Sequence, residues 1–159
     1  MGTKQLHHSG ILVSDMDRSA RFYIEALDGH WLFKPTAMTG ATAQKTFGGG
    51  PDAAVLFAYI GFEEGAVELV QFTNEPADYA IDPKPARLPH FALMVDDVKD
   101  TIARIEAAGG SRVWDEPVDW NGALVCYVAD PDGNVMELFD APLDKIVEMT
   151  IGLFPDSAP

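Results

Sequence analysis

The sequence predicts an α+β fold built from two copies of a βαβββ module. Two observations lead to this prediction. A strand-and-helix segment occurs twice at a constant offset of 82 residues, and each copy is followed by strand-like segments separated by turn signals. Residues 6–19 resemble residues 88–101, so that His8 aligns with His90 and Asp15 with Asp97. Neither half alone could bury much core, whereas two halves packed together could.

Each copy begins with an apolar run typical of a strand and then reaches an acidic residue that can cap a helix. The apolar positions that follow have helical spacing: Met16, Ala20, Tyr23 and Leu27 in the first copy, and Val98, Ile102, Ile105 and Ala108 in the second. Gly29 ends the first helix, expected over about 16–27, and Gly109 with Gly110 ends the second.

Turn signals divide the rest of each half into strands, expected at 53–62 and 66–73 in the first half and at 123–129 and 135–140 in the second. A segment with three prolines and no periodicity separates the halves. We therefore expect a first module at 5–75, a linker at 76–86, a second module at 87–141 and a C-terminal tail at 142–159.

The composition excludes several classes of partner. With 25 acidic and 11 basic residues the net charge is −14, which repels nucleic-acid backbones and anionic membranes.

The N-terminus does not resemble a signal peptide, and no apolar run is long enough to span a membrane. The single cysteine, Cys126, cannot form a disulfide within the chain and lies in an apolar run typical of a buried residue. We expect a cytoplasmic protein with a small-molecule substrate.

Four polar residues occupy matching places in the two halves. His8 and His90 lie early in the first strand of each half, and Glu68 and Glu137 lie in the last strand among apolar neighbours. A carboxylate that is surrounded by apolar side chains is unfavourable unless a cation or hydrogen bonds compensate its charge. Two imidazoles and two carboxylates suit Zn, Ni, Co, Mn or Fe(II). We predict that these four residues converge on one divalent metal ion.

Taken alone, such a histidine or glutamate is more often a surface residue, and it is the repeat that favours a metal site. His7 competes with His8 as the first ligand, but the offset of 82 selects His8. His30 has no counterpart in the second half and is expected to be a surface residue.

These segments resemble the vicinal oxygen chelate superfamily, also called the glyoxalase/bleomycin-resistance/dioxygenase group. The most specific match is Asp130-Pro-Asp-Gly-Asn followed by Glu137-Leu138. The resemblance implies that the modules form a cupped mixed sheet around the metal. It also implies that a glutamate ligand, Glu137 or Glu68, acts as general base next to a metal-bound carbonyl of a small oxygenated substrate. The ligand pattern matches glyoxalase I-like lyases at all four positions.

Other members of the superfamily match less well. Methylmalonyl-CoA epimerases usually carry Gln where this chain has Glu68, ring-cleaving dioxygenases use additional active-site His and Tyr residues, and bleomycin-binding proteins lack the ligands. Bacterial glyoxalase I usually places Arg and Asn, which bind glutathione, where this chain has Leu12 and Phe72. We therefore predict a glyoxalase-type lyase or isomerase without the usual glutathione residues. The alternatives are a small-molecule-binding or resistance protein, or a dioxygenase.

Members of this superfamily commonly form homodimers, and in many of them both chains contribute to the site. Trp31, Phe33, Trp114 and Trp120 could supply aromatic surface for a partner, although such residues more often fill the core of their own chain. We expect a homodimer, because closed two-fold assemblies are the commonest oligomers.

Overall fold

The computed structural model describes residues 7–48, 50–74 and 90–153, and it confirms the α+β fold. The first half contains β1 (Ser9–Leu12), α1 (Met16–Glu25), β2 (His30–Thr39), α2 (Gly40–Phe47), β3 (Ala54–Gly61) and β4 (Ala66–Phe72). The second half contains β5 (Phe91–Met94), α3 (Val98–Ala107), β6 (Ser111–Arg112), β7 (Val118–Trp120), β8 (Ala123–Ala129) and β9 (Val135–Phe139), and α4 (Leu143–Leu153) follows. The expected linker at 76–86 and the end of the tail at 154–159 lie outside the described residues.

The two halves have the same sheet topology. The first sheet has the strand order β1-β4-β3-β2, and the second has β5-β9-β8-β6 with β7 also paired to β8. In each sheet the first strand of the module runs parallel to its last strand, and the neighbouring pairs are antiparallel. Gly10 is in register with Glu68, and Ala92 is in register with Glu137. The repeat seen in the sequence is therefore a repeat of strand pairing.

Both main helices begin at the acidic residues expected to cap them. The side chain of Asp15 accepts a hydrogen bond from the backbone N–H of Arg18 at 2.9 Å, and Asp97 accepts one from Asp100 at 2.9 Å. Such a bond satisfies one of the amide groups that a helix leaves unpaired at its N-terminus. Each helix buries the predicted face, but α1 ends at Glu25, two residues earlier than expected.

Two elements differ from the expected βαβββ pattern. The first half contains an additional helix, α2, which begins at Gly40 (φ 64°) and ends before Gly48 (φ 84°). Its one buried residue is Ala43, which packs in a small cluster with Val55 and Val70, so the helix had no apolar stripe to reveal it. In the second half the strand after the helix is divided into the short strands β6 and β7.

One hydrophobic core joins the two halves. Phe22 and Tyr23 of α1 lie in the same buried cluster as Ile105 of α3 and Cys126 of β8. The halves approach closely at Gly110, where a Cβ atom would lie 2.9 Å from the ring of Phe22. Cys126 is buried and free, as expected for a small core residue, and burial raises the pKa of its thiol.

The turn at 130–134 forms hydrogen bonds between the second half and the first. The hydroxyl of Tyr23 donates a hydrogen bond to Asp130 at 2.9 Å, and the side-chain amide of Asn134 donates one to the carbonyl of Leu12 at 3.0 Å. Burial raises the pKa of Asp130 and, together with the charge of Asp130, raises the pKa of Tyr23 well above its usual value. The most specific motif of the sequence therefore has a structural role between the halves.

The four aromatic residues expected at a partner surface divide into two groups. Trp31 and Trp114 are half-buried and pack against the core of their own chain, which favours the core role for these two residues. Phe33 and Trp120 remain exposed, with 41% and 39% of their surface accessible. Among the described helices, none is long and apolar enough to cross a membrane.

Candidate metal centre

The first candidate pair consists of His8 and Glu68. His8 immediately precedes β1, and Glu68 lies in the middle of the parallel strand β4. Because side chains alternate along a strand and Gly10 is in register with Glu68, a residue two positions before Gly10 lies on the same face as the glutamate. The His8 Nε2 and Glu68 Oε2 atoms are 3.5 Å apart.

The second pair is built in the same way. His90 immediately precedes β5, Glu137 lies in the middle of β9, and Ala92 is in register with the glutamate. The His90 Nε2 and Glu137 Oε2 atoms are 3.6 Å apart. The structure therefore brings together the histidine and the glutamate of each half at nearly the same separation.

The four predicted ligands do not converge on one point within one chain. Among residues 7–48, 50–74 and 90–153, no group of three or more His, Cys, Asp or Glu side chains could hold a metal ion. His7 lies beside the first pair, with its Nδ1 atom 2.6 Å from Nδ1 of His8, and His30 is exposed at the start of β2. Each chain thus presents two separate half-sites, which we name the first half-site (His8 and Glu68) and the second half-site (His90 and Glu137).

Each half-site fits a divalent metal ion. Two ligand atoms at about 2.1 Å from a metal lie about 3 to 3.5 Å apart at tetrahedral or octahedral angles. The observed separations of 3.5 and 3.6 Å are at the top of that range or within about 0.1 Å above it, so a small side-chain movement would bring each pair to ligating distance. One imidazole nitrogen and one carboxylate oxygen form half of a mixed donor set that suits Zn, Ni, Co, Mn or Fe(II).

A tyrosine accompanies each half-site, and the sequence analysis missed both. Tyr59 of β3 is in register with Glu68 and donates a hydrogen bond to its Oε1 atom at 2.6 Å. Tyr127 of β8 is in register with Glu137, and its hydroxyl lies 3.4 Å from Nε2 of His90. The register of the two hairpins, had it been worked out from their turns, would have placed both tyrosines opposite the glutamates.

Both phenols keep their protons at neutral pH. The hydrogen bond to Glu68, reinforced by burial and by the glutamate's charge, raises the pKa of Tyr59 to about 12. Burial, followed by the hydrogen bond to Glu137 and the charge of Glu137, raises the pKa of Tyr127 to about 12. Each half-site therefore contains a hydrogen-bond donor beside its carboxylate.

A cavity of about 320 Å³ opens beside the first half-site. Its lining consists of His7, Leu32, Phe33, Phe57 and Tyr59. The rings of Phe33 and Phe57 are stacked with their centroids 5.3 Å apart. Among the described residues that line it there is no lysine or arginine, so this part of the cavity suits an apolar or aromatic group better than an anion.

Comparisons with known proteins agree with this architecture. Residues 5–138 match the family model described as the Glyoxalase/Bleomycin resistance protein/Dioxygenase superfamily. A probable lactoylglutathione lyase of Vibrio cholerae is 30% identical over 142 residues, which cover 87% of this chain and 91% of that protein. A lactoylglutathione lyase of Haemophilus influenzae is 27% identical, covering 86% of this chain and 92% of that protein.

Solved structures show the same fold. A glyoxalase family protein from Bacillus cereus superimposes with a TM-score of 0.74 at 20% identity, covering 87% of this chain and 95% of that chain. The trypanothione-dependent glyoxalase I of Leishmania major gives a TM-score of 0.63 at 21% identity, covering 98% of this chain and 100% of that chain. The family model matches most of the chain, and the two-module fold is shared with these structures. The chain therefore belongs to the glyoxalase/bleomycin resistance protein/dioxygenase superfamily.

Proposed function

We propose that this protein is a divalent-metal-dependent enzyme of the glyoxalase type that acts as a homodimer. In this proposal each metal site combines His8 and Glu68 of one protomer with the partner's His90 and Glu137. The observation that carries the proposal is the presence of two equally built half-sites in one chain, with His–Glu separations of 3.5 and 3.6 Å. Two protein ligands hold a metal weakly, whereas four hold it firmly and, on a metal that takes six ligands, leave positions open for water or substrate.

Exposed apolar side chains support the dimer. Leu12 and Phe33 lie on the sheet face that carries the first half-site, each with 41% of its surface exposed. Met94 and Val118 lie on the corresponding face of the second sheet, with 65% and 47% exposed. Contact between the first half of one protomer and the second half of its partner would bury both faces, and a two-fold axis forms that contact twice.

The proposed chemistry is proton transfer between adjacent carbon atoms of an oxygenated substrate. A divalent ion at the site supplies electrophilic polarisation of the substrate carbonyl. A glutamate accepts the proton from the neighbouring carbon and returns it to the other carbon, which gives lyase or isomerase chemistry. The base is Glu137 or Glu68, since a tyrosine hydrogen-bonds each carboxylate and leaves it a second oxygen.

The substrate that we propose has an apolar non-reacting part. The aromatic cavity beside the first half-site supports this, since every lining residue that the structure describes is aromatic or apolar. Leu12 and Phe72 stand where glutathione-binding residues are usual in bacterial glyoxalase I, and the net charge of −14 opposes an anionic tripeptide. The relatives named lactoylglutathione lyase support the reaction type. A cytoplasmic location remains part of the proposal.

Metal analysis followed by a substrate screen tests this function. We expect the purified protein to bind about one divalent ion per chain and to sediment at twice the 17.3 kDa chain mass. With metal restored, it should isomerise thiol adducts of 2-oxoaldehydes, and adducts of a neutral thiol should react at least as well as those of glutathione. Ligand binding without metal would instead support a sequestering protein, and oxygen uptake with catechols would support a dioxygenase.

A further inference from the structure

The two half-sites share a feature that their ligands alone do not explain. In each half, a tyrosine on the strand next to the glutamate lies directly opposite it: Tyr59 opposite Glu68, and Tyr127 opposite Glu137. Each tyrosine ring also meets the histidine of its half-site edge to face, with centroids 5.3 Å apart for His8 and 5.1 Å apart for His90. The arrangement occurs twice in the same geometry.

We propose that Tyr59 and Tyr127 are positioning residues that hold the histidine and the glutamate of each half-site in the orientation that binds metal. This inference rests on the proposed metal site. A glutamate side chain has three rotatable bonds, and a carboxylate free to turn ligates a metal less well than one held in place. The hydroxyl fixes one carboxylate oxygen of Glu68, which directs the other oxygen toward His8.

The tyrosines are themselves held in place. The ring of Tyr127 packs against Trp114 with centroids 4.7 Å apart, and the ring of Tyr59 lies 6.4 Å from that of Phe33. Aromatic pairs at these distances attract one another, which favours the observed ring positions. The hydroxyl group is therefore presented from a favoured position, as a positioning residue requires.

The two tyrosines should differ in the size of their effect. Among the described residues, Tyr59 makes a 2.6 Å hydrogen bond to Glu68 alone. The hydroxyl of Tyr127 instead lies between Glu137, to which it also hydrogen-bonds, and Nε2 of His90 at 3.4 Å. A hydroxyl has one proton to donate, so in the second half-site that proton is shared between two neighbours. A hydrogen bond weakens as it lengthens, and a charged acceptor strengthens it. We therefore expect the first half-site to depend more strongly on its tyrosine than the second.

Titration of the metal-free protein with Co²⁺ tests the proposal, with affinity and the visible absorption spectrum as readouts. Tyr59→Phe keeps the ring and removes only the hydroxyl, and Tyr127→Phe does the same in the second half-site. The matched control is Tyr23→Phe, which removes a buried hydroxyl that bonds Asp130, away from both half-sites. Thermal melts of all variants separate loss of binding from loss of folding.

We expect Tyr59→Phe to weaken Co²⁺ binding about 10- to 100-fold and to change the spectrum, with a smaller loss for Tyr127→Phe. Tyr23→Phe should lower the melting temperature and leave Co²⁺ affinity unchanged. Wild-type affinity and spectrum in both Tyr59→Phe and Tyr127→Phe would overturn the inference while leaving the proposed enzyme intact. Failure of the folded wild-type protein to bind Co²⁺ would instead overturn the proposed function, and the positioning role with it.

Discussion

The guanidinium of Arg18 donates a 2.6 Å hydrogen bond to the carboxylate of Asp132, which lies 114 residues further along the chain. The backbone and hydroxyl of Ser14 and the hydroxyl of Ser19 donate to the same carboxylate. The Asp132 side chain is only 4% exposed. One buried carboxylate of the second module is thus bonded to three residues at the start of the first helix, and it helps to fix how the two modules pack.

Asp132→Ala should destabilise the protein strongly. The substitution leaves the Arg18 guanidinium, which is 41% exposed, and two serine hydroxyls without their acceptor. Loss of hydrogen bonds to a partly buried charged group typically costs about 1 to 3 kcal/mol. Asp28→Asn is the matched control, because it removes the exposed Arg104–Asp28 ion pair of the same 2.6 Å length and should change the free energy of unfolding by less than about 1 kcal/mol. Urea denaturation measures both. Equal decreases in the free energy of unfolding in the two variants would contradict the role of Asp132 in holding the two modules together.

The contribution of Asp132 should disappear in acid. Burial alone would raise the pKa of Asp132, but hydrogen bonds from Ser14, Ser19 and Arg18 outweigh it and lower the pKa below 3.8. A carboxyl with a lowered folded-state pKa stabilises the fold fully above its unfolded pKa of about 3.9, and this stabilisation is lost as the pH falls through the folded pKa. The stability difference between wild type and Asp132→Asn should therefore be constant from about pH 7 to 5 and shrink below about pH 4. Urea denaturation across this range measures it, and a difference that grows in acid would contradict the assignment.

Glu137→Gln should abolish turnover more completely than it weakens metal binding. An amide oxygen can still ligate a metal, but the amide cannot accept the substrate proton. Metal content and turnover of the same preparation give the comparison. Full activity with metal in place would remove Glu137 from the base role, and Glu68→Gln would become the next variant to examine.

Phe33→Ala should weaken substrate binding without slowing the chemical step. The substitution removes one wall of the aromatic cavity, and an apolar contact of this size corresponds to about a tenfold increase in KM. Since Phe33 is 41% exposed, the fold should tolerate the change. Because Phe33 also lies on the face proposed to meet the partner, sedimentation at twice the chain mass is needed to show that the variant is still a dimer. Leu143→Ala, which removes a 77% exposed side chain from α4, is the control and should leave KM unchanged. An unaltered KM in Phe33→Ala would show that the substrate does not use this cavity.

Local signals made most of the fold predictable. The caps at Asp15 and Asp97 and the apolar faces of α1 and α3 depend on residues within a few positions of one another. The helix α2 was missed because it buries only Ala43 and has no stripe to reveal it. The roles of Trp31 and Trp114 depended on which face the core would cover, which is a property of the whole packed chain.

The residues of the candidate site could be predicted from the sequence, but the way they are grouped in space could not. The repeat was enough to select His8, Glu68, His90 and Glu137, and the structure brings them together as two pairs, one in each half. Whether the two pairs meet depends on how the modules pack. That packing is determined by contacts between residues more than 100 positions apart in the chain, such as the hydrogen bond between Tyr23 and Asp130. No local pattern reports that arrangement.

A mixed dimer tests the central claim most directly. One chain would carry His8→Ala with Glu68→Ala, and a differently tagged second chain would carry His90→Ala with Glu137→Ala. If each site combines the first half-site of one protomer with the second half-site of its partner, the purified mixed dimer contains one intact site and one site that lacks every ligand. We expect it to bind about one metal ion per dimer, half the wild-type amount, and to recover about half the wild-type activity, whereas each double variant alone binds almost none. A mixed dimer that binds no more metal than the double variants, or a wild-type monomer that binds metal fully, would contradict a site shared between protomers.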